Sequence, residues 1–264
     1  MAASAAGILW LIYHNAVRSV RKSHGNALLA IATNIMQSVM MVAVFYLMFS
    51  LLGLRGMAIR GDFLLYIMSG IFLFMTHIKA LGAVVGSEGP TSPMMQHLPM
   101  NTAVAIGAAA LGALYVQTLT VLIILFVYHV GWGPIEIYNP VGAYAMVLLS
   151  WFSGVAIGMV FLALKPWFPG FVAMASQLLQ RANMFASGKM FVANTLPAYM
   201  VAMFDWNPLF HTIDQARGFM FINYNPHFSS VSYPVYVSIG CLVIGLMGEF
   251  YTRKYASVSW GAGR

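Results

Sequence analysis

Residues 102 to 130 read TAVAIGAAALGALYVQTLTVLIILFVYHV, a stretch with no Asp, Glu, Lys or Arg. A hydrocarbon core about 30 Å thick is crossed by roughly 20 apolar residues of helix. The stretch satisfies that length, and a helix apolar on every side has no face to turn to water. Composition extends the reading to the whole chain. Of 264 residues, 61% are hydrophobic and only 7% charged, with mean hydropathy +0.80, whereas a soluble domain carries about 25% charged residues. Six acids and thirteen Lys plus Arg cannot clothe a water-soluble surface of this size. The sequence describes an all-α integral membrane protein forming one domain over 1–264.

Working outward by the same length criterion gives six runs, at about 27–52, 63–85, 102–130, 141–164, 171–193 and 233–252, and so six transmembrane helices. Basic residues collect on the cytoplasmic side. With the N-terminus inside, the inner connections hold Arg18, Arg21, Lys22, Lys165, Arg253, Lys254 and Arg264, against Arg55, Arg60 and Arg217 outside. Both termini are therefore expected in the cytoplasm.

Three pieces fall outside the runs. Residues 8–24 place Ile8, Leu11, Ile12, Asn15 and Ser19 along one side, with Arg18, Arg21 and Lys22 towards one end. This predicts an amphipathic helix in the inner interface, set off from the first span by Gly25-Asn26; the alternative is that it continues that span. The loop GSEGPTSPMMQHLPMN at 86–101 has room for about one helical turn between Pro93 and Pro99, with Met94, Met95 and Leu98 as apolar knobs. Adaptable thioether side chains suit docking against another protein; the alternative is an ordinary turn. Residues 194–231 are too apolar for an exposed loop and too often broken for a plain span. They predict two short re-entrant helices, near 196–204 and 208–221. Asn207 would cap the second and Pro208 open it, and His211, Asp214 and Arg217 would offset one another at i, i+3 and i+6.

Several chemistries are excluded or weakened. A lone Cys241 allows no intrachain disulfide and no thiolate metal site. The net charge of +7 is scattered, with no basic block beyond Arg21-Lys22 and Arg253-Lys254, which argues against nucleic acid. No basic residue precedes the first apolar stretch, the wrong order for a cleavable signal. None of the seven His falls in an HxxxH or HxxHH pair. His211 and Asp214 could share a helix face as metal ligands, but a polar cluster with Arg217 is the preferred reading. No acid–base pair, GxSxG or phosphate loop is present, so neither an active site nor ATP binding is expected in this chain. Arg181 and Lys189 lie in an apolar run, where each costs about 2.5 to 3.5 kcal/mol near a helix centre. They must face protein, water or an interface, and are candidates for a substrate path. Tyr46, Phe49, Tyr66, Phe72, Phe74, Phe185 and Phe191 either line such a path or pack.

The order of parts resembles the type 2 ABC exporter permeases, especially those for capsular polysaccharide and O-antigen. The local matches are FPGF at 168–171, FVANTLPAYM at 191–200 and WNPLFHTIDQARG at 206–218. The resemblance implies that residues 86–99 form a coupling helix with Glu88, Met94, Met95, Gln96 and His97 against the ATP-binding subunit. Two permeases and two ATPase chains would form the transporter, with ATP and Mg on the partner and no cofactor here. A path at the dimer interface would carry a polysaccharide or glycolipid across the bacterial inner membrane, towards periplasmic and outer-membrane export proteins. The chain departs from that group in its 20 Met and in lacking a strongly basic coupling loop. The alternatives are a drug, haem or lipid exporter, or a non-transporting membrane scaffold.

Overall fold

The computed structural model describes residues 13–17, 27–53, 59, 61–87 and 102–255. Residues 13–17 are helical; the rest of the predicted interfacial segment 8–24 lies outside the described residues. So do residues 88–101, and with them Glu88, Met94, Met95, Gln96, His97 and Leu98.

The described chain is helical, with no strand. Its helices are α1 (Ala27–Leu51), α2 (Phe63–Val85), α3 (Thr102–Gly131), α4 (Pro140–Leu164), α5 (Pro169–Ala186), α6 (Ala198–Val201), α7 (Pro208–Met220) and α8 (Ser232–Tyr255), with a 3-10 turn at Ala193–Thr195. Five of them, α1 to α4 and α8, are long and apolar enough to cross a membrane. Their ends fall where local chemistry puts them. Asp62 caps α2 by accepting from the backbone N–H of Leu64 at 2.9 Å. Asn139 caps α4 through the N–H of Gly142 at 2.9 Å, with Pro140 in the first turn, where its missing N–H is harmless.

α2 is the axis of the bundle. Its apolar window is 83% buried, against 28% for α1 and α3 and 22% for α8, so the other helices surround it and turn broad apolar faces outward. α2 and α4 approach unusually closely. A Cβ at Gly154 would stand 2.4 Å from the carbonyl oxygen of His77, and one at Gly158 3.0 Å from Cβ of Val84. The spacing Gly-xxx-Gly is what lets two helix backbones meet where apolar solvent supplies no other drive. Polar side chains then fasten neighbours: Ser150 donates to the carbonyl of Leu73 at 2.8 Å, Asn34 to Thr120 at 2.9 Å, and the Trp151 indole to the carbonyl of Ala110 at 2.8 Å.

The directions of α4 and α8 show what happens between them. A Cβ at Gly245 would meet Met159 and one at Gly248 would meet Ala163, while Thr252 donates to the carbonyl of Ala163 at 3.0 Å. Both positions advance together, so the two helices run parallel. The intervening chain must therefore return from the Lys165 end of the bundle to the Asn139 end. It starts beside Lys165, whose amine donates to the carbonyl of Val85 at 2.8 Å. It arrives where the N–H groups of Tyr138 and Asn139 donate to the carbonyls of Met220 and Phe219 at 3.2 and 2.8 Å.

That return corrects one expectation. The run 171–193 is not a continuous helix: α5 stops after 18 residues at Ala186, and Gly188 turns the chain with φ +76°, a conformation that favours glycine. The expected break at Asn207-Pro208 is present, and α7 begins there. The helix expected near 196–204 is reduced to the single turn of α6.

Candidate functional site

The interrupted return is held together by side chains that reach across the break. At the break Asn207 caps α7 by accepting from the N–H of Leu209 at 3.0 Å, and its amide donates to Asn183 at 2.9 Å and to the carbonyl of Ala186 at 3.0 Å. One residue thus starts α7 and satisfies a carbonyl left open at the end of α5. Asn183 continues to Nε2 of His77 at 3.5 Å, and Nδ1 of His77 meets Ser153 Oγ at 2.9 Å. With the Asn183 amide donating to Nε2, the His77 proton resides on Nδ1. α5 and α7 are thereby tied to α2 and α4.

Arg217 performs the second fastening. One guanidinium nitrogen donates to the carbonyls of Gly188 and Phe191 at 3.0 and 2.6 Å, and the other to that of Lys189 at 2.9 Å. These carbonyls belong to the non-helical chain after α5, which has no ladder of its own to satisfy them. The planar fork makes three such bonds at once. Its face lies 4.3 Å from the ring centre of Tyr66, a cation–aromatic contact.

Lys189 points one turn further along α2. Its ammonium stands 3.4 Å from the ring centre of Phe74 and 5.0 Å from that of Phe45, and it has no hydrogen-bond partner. Tyr66, Gly70 and Phe74 form an i, i+4, i+8 stripe on α2. The two aromatic rings each receive a cation, and the bare Cα of Gly70 admits the backbone between them. A Cβ at Gly70 would lie 2.8 Å from Cβ of Lys189 and 3.1 Å from Arg217.

Asp214 and His211 do not share this work. Asp214 accepts from the Tyr224 hydroxyl and from Ser229 Oγ at 2.6 Å. Burial, then the neighbouring Asp214, pushes the Tyr224 hydroxyl well above its ordinary pKa. His211 accepts from the N–H of Ser230 at Nδ1, 3.1 Å away, so Nε2 carries the proton and donates to the carbonyl of Asp205 at 2.6 Å. Burial lowers the pKa of His211, in keeping with a neutral ring. His211, Asp214 and Arg217 therefore take three separate sets of hydrogen-bond partners, while the Asp214 charge still favours the protonated form of His211 through space.

The remaining candidates divide. Arg181 is exposed and Phe185 is 63% exposed on the same side of α5 as Met174 and Leu178. Tyr46 is half-buried with its ring 6.1 Å from Phe63. Phe63 in turn stacks on Tyr66, so Tyr46 reaches the Arg217 cluster only through that ring, whereas Arg181 and Phe185 face outward. Sequence reasoning missed the line His77–Asn183–Asn207 and the acceptors of Arg217. His77 and Asn183 are polar residues within apolar runs, but nothing in their spacing links positions 106 residues apart. Chemically, the arrangement satisfies irregular backbone inside an apolar bundle.

No known protein family matches the chain, and no curated protein matches it.

Proposed function

We propose that this chain is the membrane-spanning permease subunit of an ATP-driven exporter in the bacterial inner membrane, with both termini cytoplasmic, moving a polysaccharide or glycolipid. The observation that carries the reading is the interrupted return. Non-helical backbone at membrane depth is tolerated only against protein or water, and broken crossings accompany transport paths. Here α5 and the chain up to Thr195 form the fifth of six crossings, and α6 and α7 form a re-entrant pair from the outer side. An ordinary anchor or scaffold has no need of a return fastened by a buried Arg217, or of an unpartnered Lys189 ammonium beside it.

The face of α5 supports a second copy. Phe171, Met174, Leu178 and Phe185 are exposed there, with Gln177 and Arg181 among them. An arginine on a helix in the hydrocarbon region belongs against protein or water, and a paired subunit with a path between the copies supplies both. Energy comes from a separate ATP-binding chain, docked on residues 86–99, since no phosphate loop is present.

Two experiments on native membranes test this. The affinity-tagged chain should copurify with an ATP-binding polypeptide, and Leu178→Cys with Cys241→Ser should form a disulfide-linked dimer on mild oxidation. A chain that purifies alone and stays monomeric argues against the reading.

A further inference from the structure

One face of α8 changes character along its length. Ile244, Met247, Tyr251, Lys254 and Tyr255 follow one another at i, i+3, i+7, i+10 and i+11, a single helical stripe. Ile244, Met247, Tyr251 and Tyr255 are each more than half exposed, and Lys254 is exposed as well. α8 is long and apolar enough to cross a membrane. The stripe therefore runs from hydrocarbon to the polar boundary at the Lys165 end of the bundle.

The polar end of the stripe is built. Trp167, at the corner between α4 and α5, donates its indole N–H to Thr252 Oγ1 at 2.9 Å, and Thr252 donates to the carbonyl of Ala163 at 3.0 Å. The pinned indole stacks on Tyr251 with ring centres 5.9 Å apart, and the rings of Tyr251 and Tyr255 lie 4.5 Å apart. The ammonium of Lys254 stands 5.2 Å from the Tyr255 ring centre, within cation–aromatic range. Three rings in a row thus meet a cation at the boundary, and the first of them is fixed before any ligand arrives. Basic residues in a last turn commonly answer the open carbonyls of their own helix, but that need explains neither the ring row nor the apolar run leading to it. The acid of α8, Glu249, is buried and accepts from Thr102 at 2.5 Å. In sequence, residues 256–264 add Arg264 and no acid.

A ligand that matches the whole stripe has an apolar tail and an anionic head. We propose that this face binds an anionic phospholipid of the leaflet at the Lys165 end, its phosphate accepting from Lys254 and from the Tyr251 and Tyr255 hydroxyls, with an acyl chain along Met247 and Ile244. Tyrosine and lysine suit that place, each with an apolar body and a polar tip, and an anionic leaflet attracts basic residues near its surface. A free phosphate would leave Met247 and Ile244 unused, and a zwitterionic lipid brings its own cation towards Lys254. Arg253 lies off the stripe, its guanidinium 5.9 Å from the ring centre of Phe250. That difference separates a site from the general attraction between basic residues and an anionic surface. The inference goes beyond the export reading and does not depend on it.

The test uses the delipidated full chain in detergent micelles, titrated with phosphatidylglycerol or phosphatidylcholine, with the tightest-bound lipid followed by native mass spectrometry. Phosphatidylglycerol should bind more tightly than phosphatidylcholine. Lys254→Gln should weaken its binding by about fivefold, the effect of one basic residue at an anionic surface, while Lys254→Arg should retain it. Tyr251→Leu with Tyr255→Leu should weaken it with the charge unchanged, and Arg253→Gln should weaken it less than Lys254→Gln does. Equal affinity for the two lipids, equal losses in Lys254→Gln and Arg253→Gln, or full binding by the double tyrosine variant would each overturn the proposal. Displacement of the lipid by glycerol 1-phosphate would assign the cation to a soluble phosphate and overturn it too.

Discussion

Asp214 and Arg217 lie three residues apart on α7 and do not pair. Asp214 faces Tyr224 and Ser229, and Arg217 faces the carbonyls of Gly188, Lys189 and Phe191. The arginine is therefore a fastener of irregular backbone, and its removal acts on that backbone.

Arg217→Ala removes the charged donor from three carbonyls, of which that of Gly188 keeps a long bond from the N–H of Phe191 at 3.4 Å; hydrogen bonds to a charged group are worth about 1.5 to 3 kcal/mol each. With water filling part of the gap, a loss on the order of 3 kcal/mol is expected in reversible unfolding in mixed micelles. Arg217→Lys should recover only part of it, because one ammonium cannot reach all three carbonyls in a plane. Asp214→Asn should cost much less, since its carbonyl still accepts from Tyr224 or Ser229. Equal losses for Arg217→Ala and Asp214→Asn would contradict separate partners.

Gly70→Ala places a methyl 2.8 Å from Cβ of Lys189 and 2.9 Å from its Cα. Overpacking of this kind costs about 1 to 3 kcal/mol. The double variant Gly70→Ala, Lys189→Ala should show no relief, because the clashing Cβ remains. Recovery in the double variant would mean that the long side chain, and not the backbone approach, sets the constraint.

Lys189→Met keeps the stem against Phe74 and Phe45 and removes an ammonium that has no hydrogen-bond partner. Stability should hold or rise, as when buried charge gives way to apolar volume. If Lys189 serves the path, export should fall at the same time. A clear loss of stability would show that the cation–aromatic contacts outweigh the desolvation of the charge.

How much of this was legible beforehand depends on how local each signal is. The starts of α2 and α4 were readable from the limits of their apolar runs, and that of α7 because Asn207-Pro208 carries its cap chemistry within a turn of the boundary. The stop at Ala186 was not, because Ser187 and Gly188 sit inside an apolar run and only the positive φ of Gly188 gives them away. Arg217 was singled out by its charge, but its acceptors are backbone carbonyls, which no residue type announces. Tyr66 and Phe74 stood among the aromatics weighed as path or packing. They do neither alone, since each carries a cation from a segment more than 100 positions further along the chain.

Stability should fall on acidification through His211. Burial lowers its pKa in the folded protein, while the unfolded chain takes up a proton near the ordinary value of about 6.5. Below that value the unfolded state binds more protons than the folded one, so stability is lost as pH falls and is fully present above it. His211→Gln should flatten the part of the pH 5 to 7.5 profile that this residue contributes. An unchanged profile would show that His211 is not the group responsible.

Transport itself is the most direct measure of the proposed ATP-driven export. Inside-out membrane vesicles carrying the chain and its ATP-binding partner should take up radiolabelled lipid-linked glycan when ATP and Mg are added. The triple variant Met94→Ala, Met95→Ala, Leu98→Ala should insert normally and lose that uptake, since truncating central docking residues commonly costs more than about 1 kcal/mol each. Vesicles that accumulate no glycan with ATP, or that accumulate it equally with the triple variant, would contradict the account.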